Sequence, residues 1–171
     1  MYSDRQSERL IDGSESSLRR FLQTLSPVDQ IGAQERAAML GTRSIKTSSK
    51  KWAIDMAISM VDLTTLEGAD TPGKVRALCS KAVRPDPRDL TVPHVGAVCV
   101  YNDMVSIART HLDAIGGKHV PVAAVSTAFP SGRASMEVKI QDTQDAIDAG
   151  AAEIDMVIDR GAFLSGRYGL V

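Results

Sequence analysis

The sequence predicts an α/β fold, part of a (β/α)8 barrel standing behind a helical extension. Three observations predict it. Apolar runs of strand length at 58–66, 95–101, 120–126 and 153–159 alternate with stretches of helical periodicity, the pattern of strand-helix units joined by right-handed crossovers into a parallel sheet. Helix ends carry their own punctuation, with Thr71-Pro72 opening one and Gly116-Gly117 and Gly150 closing two others. The third observation is parity. Asp62 with Thr64, Ala97 with Cys99, and Asp155 are small or polar residues set late in apolar strands, each on one parity. A doubly wound sheet gathers its polar groups at helix N-termini beside a switch point, whereas a barrel points them from successive strands towards one axis.

Each element follows from local pattern. Residues 1–12 are polar, and no stable structure is expected there. Leu18, Phe21, Leu22 and Leu25 recur at helical spacing within 15–25. Ser26 then reads as an N-cap with Pro27 at the first helical position, and that helix runs through Ile31 and Met39 to Gly41. Residues 42–51 carry Arg43, Lys46, Lys50 and Lys51 with no acid, a solvated basic connector or, less simply, a phosphate contact without the aromatic interleaving that nucleic-acid grooves use. These stretches set a helical extension over 1–55 and four barrel units over 56–171.

Within the barrel region, Val75, Leu78, Cys79 and Ala82 form the apolar stripe of the first helix, which Pro85 and Pro87 end. Asn102 caps a second helix bearing Met104, Ile107, Ala108, His111, Leu112 and Ile115. His111 on that stripe is expected to be a packed, hydrogen-bonded histidine. Pro121 fits only at the start of its strand. A third helix, 135–149, leads through Gly150 into Glu153-Ile154-Asp155-Met156-Val157-Ile158-Asp159, where Ile154, Met156 and Ile158 face one way and Glu153, Asp155, Val157 and Asp159 the other. By itself this is a half-exposed strand. In a parallel sheet covered by helices, mid-strand Asp155 is either a buried ion-pair member or a functional carboxylate.

Composition bounds the setting. A chain of 171 residues with 43% hydrophobic content and net charge −1 has material for one soluble domain and no charge bias towards nucleic acid or acidic lipid. No apolar run reaches the roughly 20 residues of a membrane span, and the polar N-terminus is unlike a signal peptide, so a cytoplasmic protein is expected. Cys79 and Cys99 lack metal or redox spacing and are expected reduced; His94, His111 and His119 lack ligand partners, so no metal is expected. The segment Gly68-Ala69-Asp70-Thr71-Pro72-Gly73-Lys74-Val75 matches a phosphate-binding loop through its lysine. It fails on chemistry: Val75 offers magnesium no hydroxyl, Pro72 removes an N–H, and Asp70 places a negative charge in the cradle.

With these residues in hand, the sequence resembles the deoxyribose-phosphate aldolase family of class I aldolases. The resemblance rests on Asp62-Leu63-Thr64-Thr65-Leu66 followed by Asp70-Thr71, on Ala97-Val98-Cys99-Val100-Tyr101, on Phe129-Pro130-Ser131-Gly132, and on Gly150-Ala151-Ala152-Glu153-Ile154-Asp155-Met156-Val157-Ile158. It runs over about 56–167 in the family's order. It implies a (β/α)8 barrel that cleaves 2-deoxy-D-ribose 5-phosphate to D-glyceraldehyde 3-phosphate and acetaldehyde, with Asp155 as the proton-relaying acid and Asp62, Thr64 and Cys99 lining the substrate pocket. The chemistry implied uses a lysine Schiff base late in the barrel and no cofactor. Lys46, Lys50, Lys51, Lys74, Lys81, Lys118 and Lys139 none of them end a barrel strand, and a barrel of about 250 residues does not fit after Met56. The chain is therefore expected to be the N-terminal portion of such an enzyme, inactive alone, and to self-associate as a homo-oligomer or to pair with a missing C-terminal half.

Overall fold

The structure, a computed structural model, describes residues 14–171; the polar stretch 1–12 lies outside the described residues. Two compact units divide the chain: Lys46–Ile158, and the described residues up to Ile45 together with Asp159–Val171.

The smaller unit is helical. α1 (Glu15–Thr24) starts where the Ser14 hydroxyl accepts the Ser17 N–H, and it half-buries Leu18, Phe21 and Leu22. α2 (Gln30–Gly41) begins three residues later than Ser26-Pro27 suggested, because Asp29 is the side chain that accepts the Gly32 N–H. α7 (Arg160–Leu164) follows an Asp159 cap. Arg19 of α1 pairs with Glu15 at 2.7 Å, donates to the Gly166 carbonyl, and lies 5.2 Å from the Tyr168 ring centroid, so one guanidinium joins α1 to the turn after α7.

The larger unit holds a parallel four-stranded sheet in the order β1-β2-β3-β4: β1 (Asp62–Thr64), β2 (Ala97–Tyr101), β3 (Val122–Ser126) and β4 (Glu153–Met156). The crossover helices are α4 (Pro72–Val83), α5 (Val105–Ala114, entered through a 3-10 turn at Asn102–Met104) and α6 (Met136–Asp148). Sequential order without reversal is how a barrel sheet is built, and it excludes the switch point of a doubly wound sheet. The core lies between one sheet face and these helices. Val98 and Val100 of β2 and Val122 and Ala124 of β3 meet Val75 and Cys79 of α4 and Val105, Ala108 and Leu112 of α5, all at or near zero exposure. Truncating fully buried Leu112 to alanine should remove about 2–5 kcal/mol.

The first strand is where the pattern misled. Residues 58–66 read as one strand, yet α3 (Thr47–Ser59) takes its beginning and the second half of the basic connector, leaving β1 only three residues. Nothing between Thr47 and Ser59 breaks a helix, and the Lys51–Asp55 pair at i,i+4 (3.2 Å) supports one. Just beyond α3, the Val61 carbonyl accepts from the distant Gly96 N–H at 2.9 Å, and a Cβ at Gly96 would press on the Ser59 and Val61 carbonyl oxygens at 3.2 and 3.3 Å. Gly150, at φ +101°, ends α6 as its position after the apolar stripe suggested. His111 is half-buried, its Nε2 3.0 Å from the Ser80 hydroxyl.

Candidate functional site

Parallel pairing fixes which side chains share the sheet face that the helices do not cover. Thr64 pairs with Cys99, Cys99 with Ala123, and Ala123 with Glu153; one level on, Tyr101 pairs with Val125 and Val125 with Asp155. Asp62 pairs with Ala97 at the level below. Paired residues in a ladder project to the same side, so Asp62, Thr64, Cys99 and Asp155 come to one face from three of the four strands.

Cys99 sits at the middle of that face, 2% exposed, in an apolar cluster with Ala123, Val125, Leu66, Tyr101 and Phe129. Burial pushes its thiol up to about 11; the Asp155 and Asp62 carboxylates and then Glu153 push the same way, and a hydrogen bond with Thr64 opposes them. The electrostatics thus register both acids at Cys99. Cys79, in the helix-sheet core, is raised to about 11 by burial, with the Arg109 charge opposing. Both thiols are free and buried.

Of the two readings of Asp155, a buried ion-pair member or a functional carboxylate, the structure does not meet the first: Asp155 is solvent-exposed, as are Asp62 and Thr64. The cause is coverage: β1 and β4 are the sheet's edges, and only the opposite face is packed under α4, α5 and α6.

Loops at the C-terminal strand ends frame the face through contacts that the sequence did not disclose. After β1, the Asp70 carboxylate accepts from the Thr65 hydroxyl (2.8 Å), the Glu67 N–H (3.0 Å) and Lys74 Nζ (2.6 Å). The Lys74 hydrogen bond is foremost in holding this carboxyl below its usual range. Lys74, the lysine of the discarded phosphate-loop match, is thus committed to Asp70. After β3, Thr127 and Ala128 both adopt left-handed backbone, at φ +63° and +64°, a conformation costly for a β-branched residue. Thr127 Oγ1 donates to the Val157 carbonyl and accepts the Val157 N–H, each at 2.8 Å, which ties β3 to the chain leaving β4. Asp142 of α6 accepts from Ala128 N (3.2 Å) and Asn102 Nδ2 (2.9 Å). One carboxylate thereby anchors the residues next to Tyr101 and Phe129, whose rings meet edge-on at 6.0 Å. Asp142 is an acid within an amphipathic helix, and no local signal marks it.

Among the described residues no group of three or more His, Cys, Asp or Glu is placed to hold a metal ion, and no helix is long and apolar enough to cross a membrane. None of the lysines lies in a strand of the sheet.

No family model matches the chain. Among curated proteins, human deoxyribose-phosphate aldolase is 35% identical over 134 residues, covering 72% of this chain and 42% of its own length. The mouse protein of the same name is 37% identical over 134 residues, covering 74% of this chain and 42% of its own. A crystal structure described as a deoxyribose-phosphate aldolase from Coccidioides immitis matches with TM-score 0.59 at 28% identity, over 69% of this chain and 42% of that one. Sequence and fold agree, and the chain is a partial-length relative of the deoxyribose-phosphate aldolases, spanning 42% of the length of the human protein.

Proposed function

We propose that this chain supplies the first four strand-helix units of a deoxyribose-phosphate aldolase, a carbon-carbon lyase that reversibly cleaves 2-deoxy-D-ribose 5-phosphate to D-glyceraldehyde 3-phosphate and acetaldehyde. The observation that carries this reading is the shared face of Asp62, Thr64, Cys99 and Asp155, fixed by strand register. In this reading Asp155 moves protons, through water, as the carbinolamine and enamine of a lysine adduct form and decay. Asp62 and Thr64 hold substrate hydroxyls, and Cys99 closes the pocket floor. The amine nucleophile must come from outside this chain, because its lysines sit on helices and loops and Lys74 is paired with Asp70. Alone, the chain is then inactive. The phosphosugar is the only partner this chemistry needs; nucleic acid and membrane have no part, the compartment is the cytoplasm, and the working form is a homo-oligomer or is completed by a C-terminal half.

The test is made in a protein that continues this chain through the remaining barrel units. Asp155→Asn keeps the volume and loses the exchangeable proton, and turnover should fall roughly 10²–10⁴-fold with the fold intact. Near-native cleavage by a folded Asp155→Asn protein would remove the acid from this role. The chain by itself, treated with acetaldehyde and borohydride, should yield no stoichiometric adduct at a single lysine.

A further inference from the structure

We propose that the groove between α4 and α5 binds the phosphate group of a small phosphomonoester, at a site separate from the sheet face that carries Asp62, Cys99 and Asp155. The proposal does not depend on the aldolase reading. The groove has a volume of about 270 Å³ and is lined by Arg76 of α4 with Ser106, Ile107, Thr110, His111 and Ala114 of α5. Both walls belong to the larger unit, on helices that pack directly: the Cys79 thiol donates to the Ala108 carbonyl at 3.8 Å, and the Ser80 hydroxyl meets His111 Nε2 at 3.0 Å. The groove therefore does not depend on which strands complete the sheet.

Its polar lining is rich in donors. A guanidinium has N–H groups and no acceptor, and Arg76 forms no ion pair among the described residues. No acid stands on α4 to claim it: the helix carries Lys74, Arg76 and Lys81, and Lys74 is held by Asp70. The one acid of α5, Asp113, is held by Arg109 at 2.8 Å. Ser106 and Thr110, four residues apart, present their hydroxyls from one face of α5. His111 is already engaged. Ser80 Oγ donates to the Arg76 carbonyl at 3.1 Å, so it accepts from the imidazole, whose Nε2 carries the proton, and the ring serves as a wall.

Two features make phosphate the fitting anion. Donors reach the groove from both helices, a planar fork from α4 and two hydroxyls from α5. A carboxylate offers two oxygens to such a set, whereas a phosphomonoester offers three on a tetrahedron. Ile107 and Ala114 supply apolar ground for a short carbon chain, and the volume lies just under the roughly 300–1,000 Å³ of drug-sized pockets, which fits a small metabolite. The neighbouring groove is the contrast within the same fold. Between α5 and α6, about 390 Å³ is lined by Asn102, Asp103, Ser106, Asp145 and Ala149, two acids and no cation. An anion is repelled there and drawn to the Arg76 side of Ser106.

Titration of the nitrogen-15-labelled chain with glycerol 3-phosphate, inorganic phosphate and acetate, read by NMR, tests this. Saturable shifts confined to the amides of 76–80 and 106–114 are expected below about 10 mM. The phosphomonoester should bind at least as tightly as inorganic phosphate, and acetate at least about tenfold more weakly. Arg76→Gln should raise the dissociation constant about tenfold or more, and Thr110→Val about threefold to fivefold. Both side chains are exposed, so each variant should melt like the parent, and a variant on each helix keeps the test if one disturbs its own. Arg88→Gln removes an equal charge from a side chain 89% exposed in the loop after α4, and should leave the constant within about twofold. Absence of saturation by about 50 mM, shifts centred on the basic stretch 42–51, or equal weakening by Arg88→Gln and Arg76→Gln overturns the site. Acetate binding as tightly as the phosphomonoester, or inorganic phosphate binding while the monoester is excluded, overturns the ligand class.

Discussion

Asp155→Asn offers a test of the open face that needs no catalysis. Cys99 lies two strands and two residues from Asp155 by register, about 10 Å across the sheet and about 7 Å along it, hence about 12 Å between backbones. At that separation a unit charge contributes about 0.35 kcal/mol at the dielectric of water and about 1.4 kcal/mol at an effective value near 20, equivalent to roughly 0.3–1 pKa unit. Removing the carboxylate should lower the Cys99 thiol from about 11 by that amount and raise its thiolate fraction roughly 2- to 10-fold at any pH below the midpoint. Thr64→Val should act oppositely, since the Thr64 hydrogen bond holds the thiol down. Alkylation with isotope-coded iodoacetamide, followed by peptide mass spectrometry across the alkaline range, reads both effects. Cys79 is the internal control: it belongs to the opposite face's core and answers to Arg109 instead. Equal acceleration of both cysteines would mean that the substitution merely opens the fold, and an unchanged Cys99 midpoint in Asp155→Asn would refute the electrostatic link between acid and thiol.

Cys99→Ala should cost roughly 1–2 kcal/mol by urea unfolding, through the space left among Val125, Leu66 and Phe129, while changing turnover of an extended protein only a few-fold. Ala128→Gly should raise urea stability by up to about 1 kcal/mol, because glycine accepts φ +64° without the Cβ clash. The Asp70 carboxyl, lowered chiefly by Lys74, contributes stability that is present above the ordinary carboxylate range and lost as pH falls through its folded value. Lys74→Met should therefore shrink that contribution and move the acid-side loss of stability to higher pH, measured as the urea midpoint against pH.

Sequence legibility followed the range of the interactions concerned. β2 and β3 are flanked on both sides by other strands, so their continuous apolar runs are unambiguous, and Ser135 and Thr71 announce their helices by caps that act within three residues. β1 was overextended because an apolar run bordered by Ile54 and Ile58 satisfies helix and strand patterns alike, and only the long-range contact of Gly96 with Val61 decides where the helix stops. The shared face of Asp62, Cys99 and Asp155 was legible because strand parity is a local property. The clamps were not. Asp142 reaches Asn102 across forty residues, and Thr127 reaches Val157 across thirty, separations at which a single sequence holds no pairing signal.

The exposure of Asp155 sharpens what its chemistry requires. Asp155 stands in solvent at the edge of the sheet, and a proton relay is helped by a dry, shaped surrounding that holds the acid against its substrate. Its neighbours by register are Val125 and, one level back, Glu153, neither of which is a cation. Whatever covers Asp155 must therefore arrive beside β4 or across the face it shares with Cys99. None of this chain's lysines lies in a strand of the sheet. In the aldolase reading, completion by strands that carry amines would both cover Asp155 and supply the nucleophile.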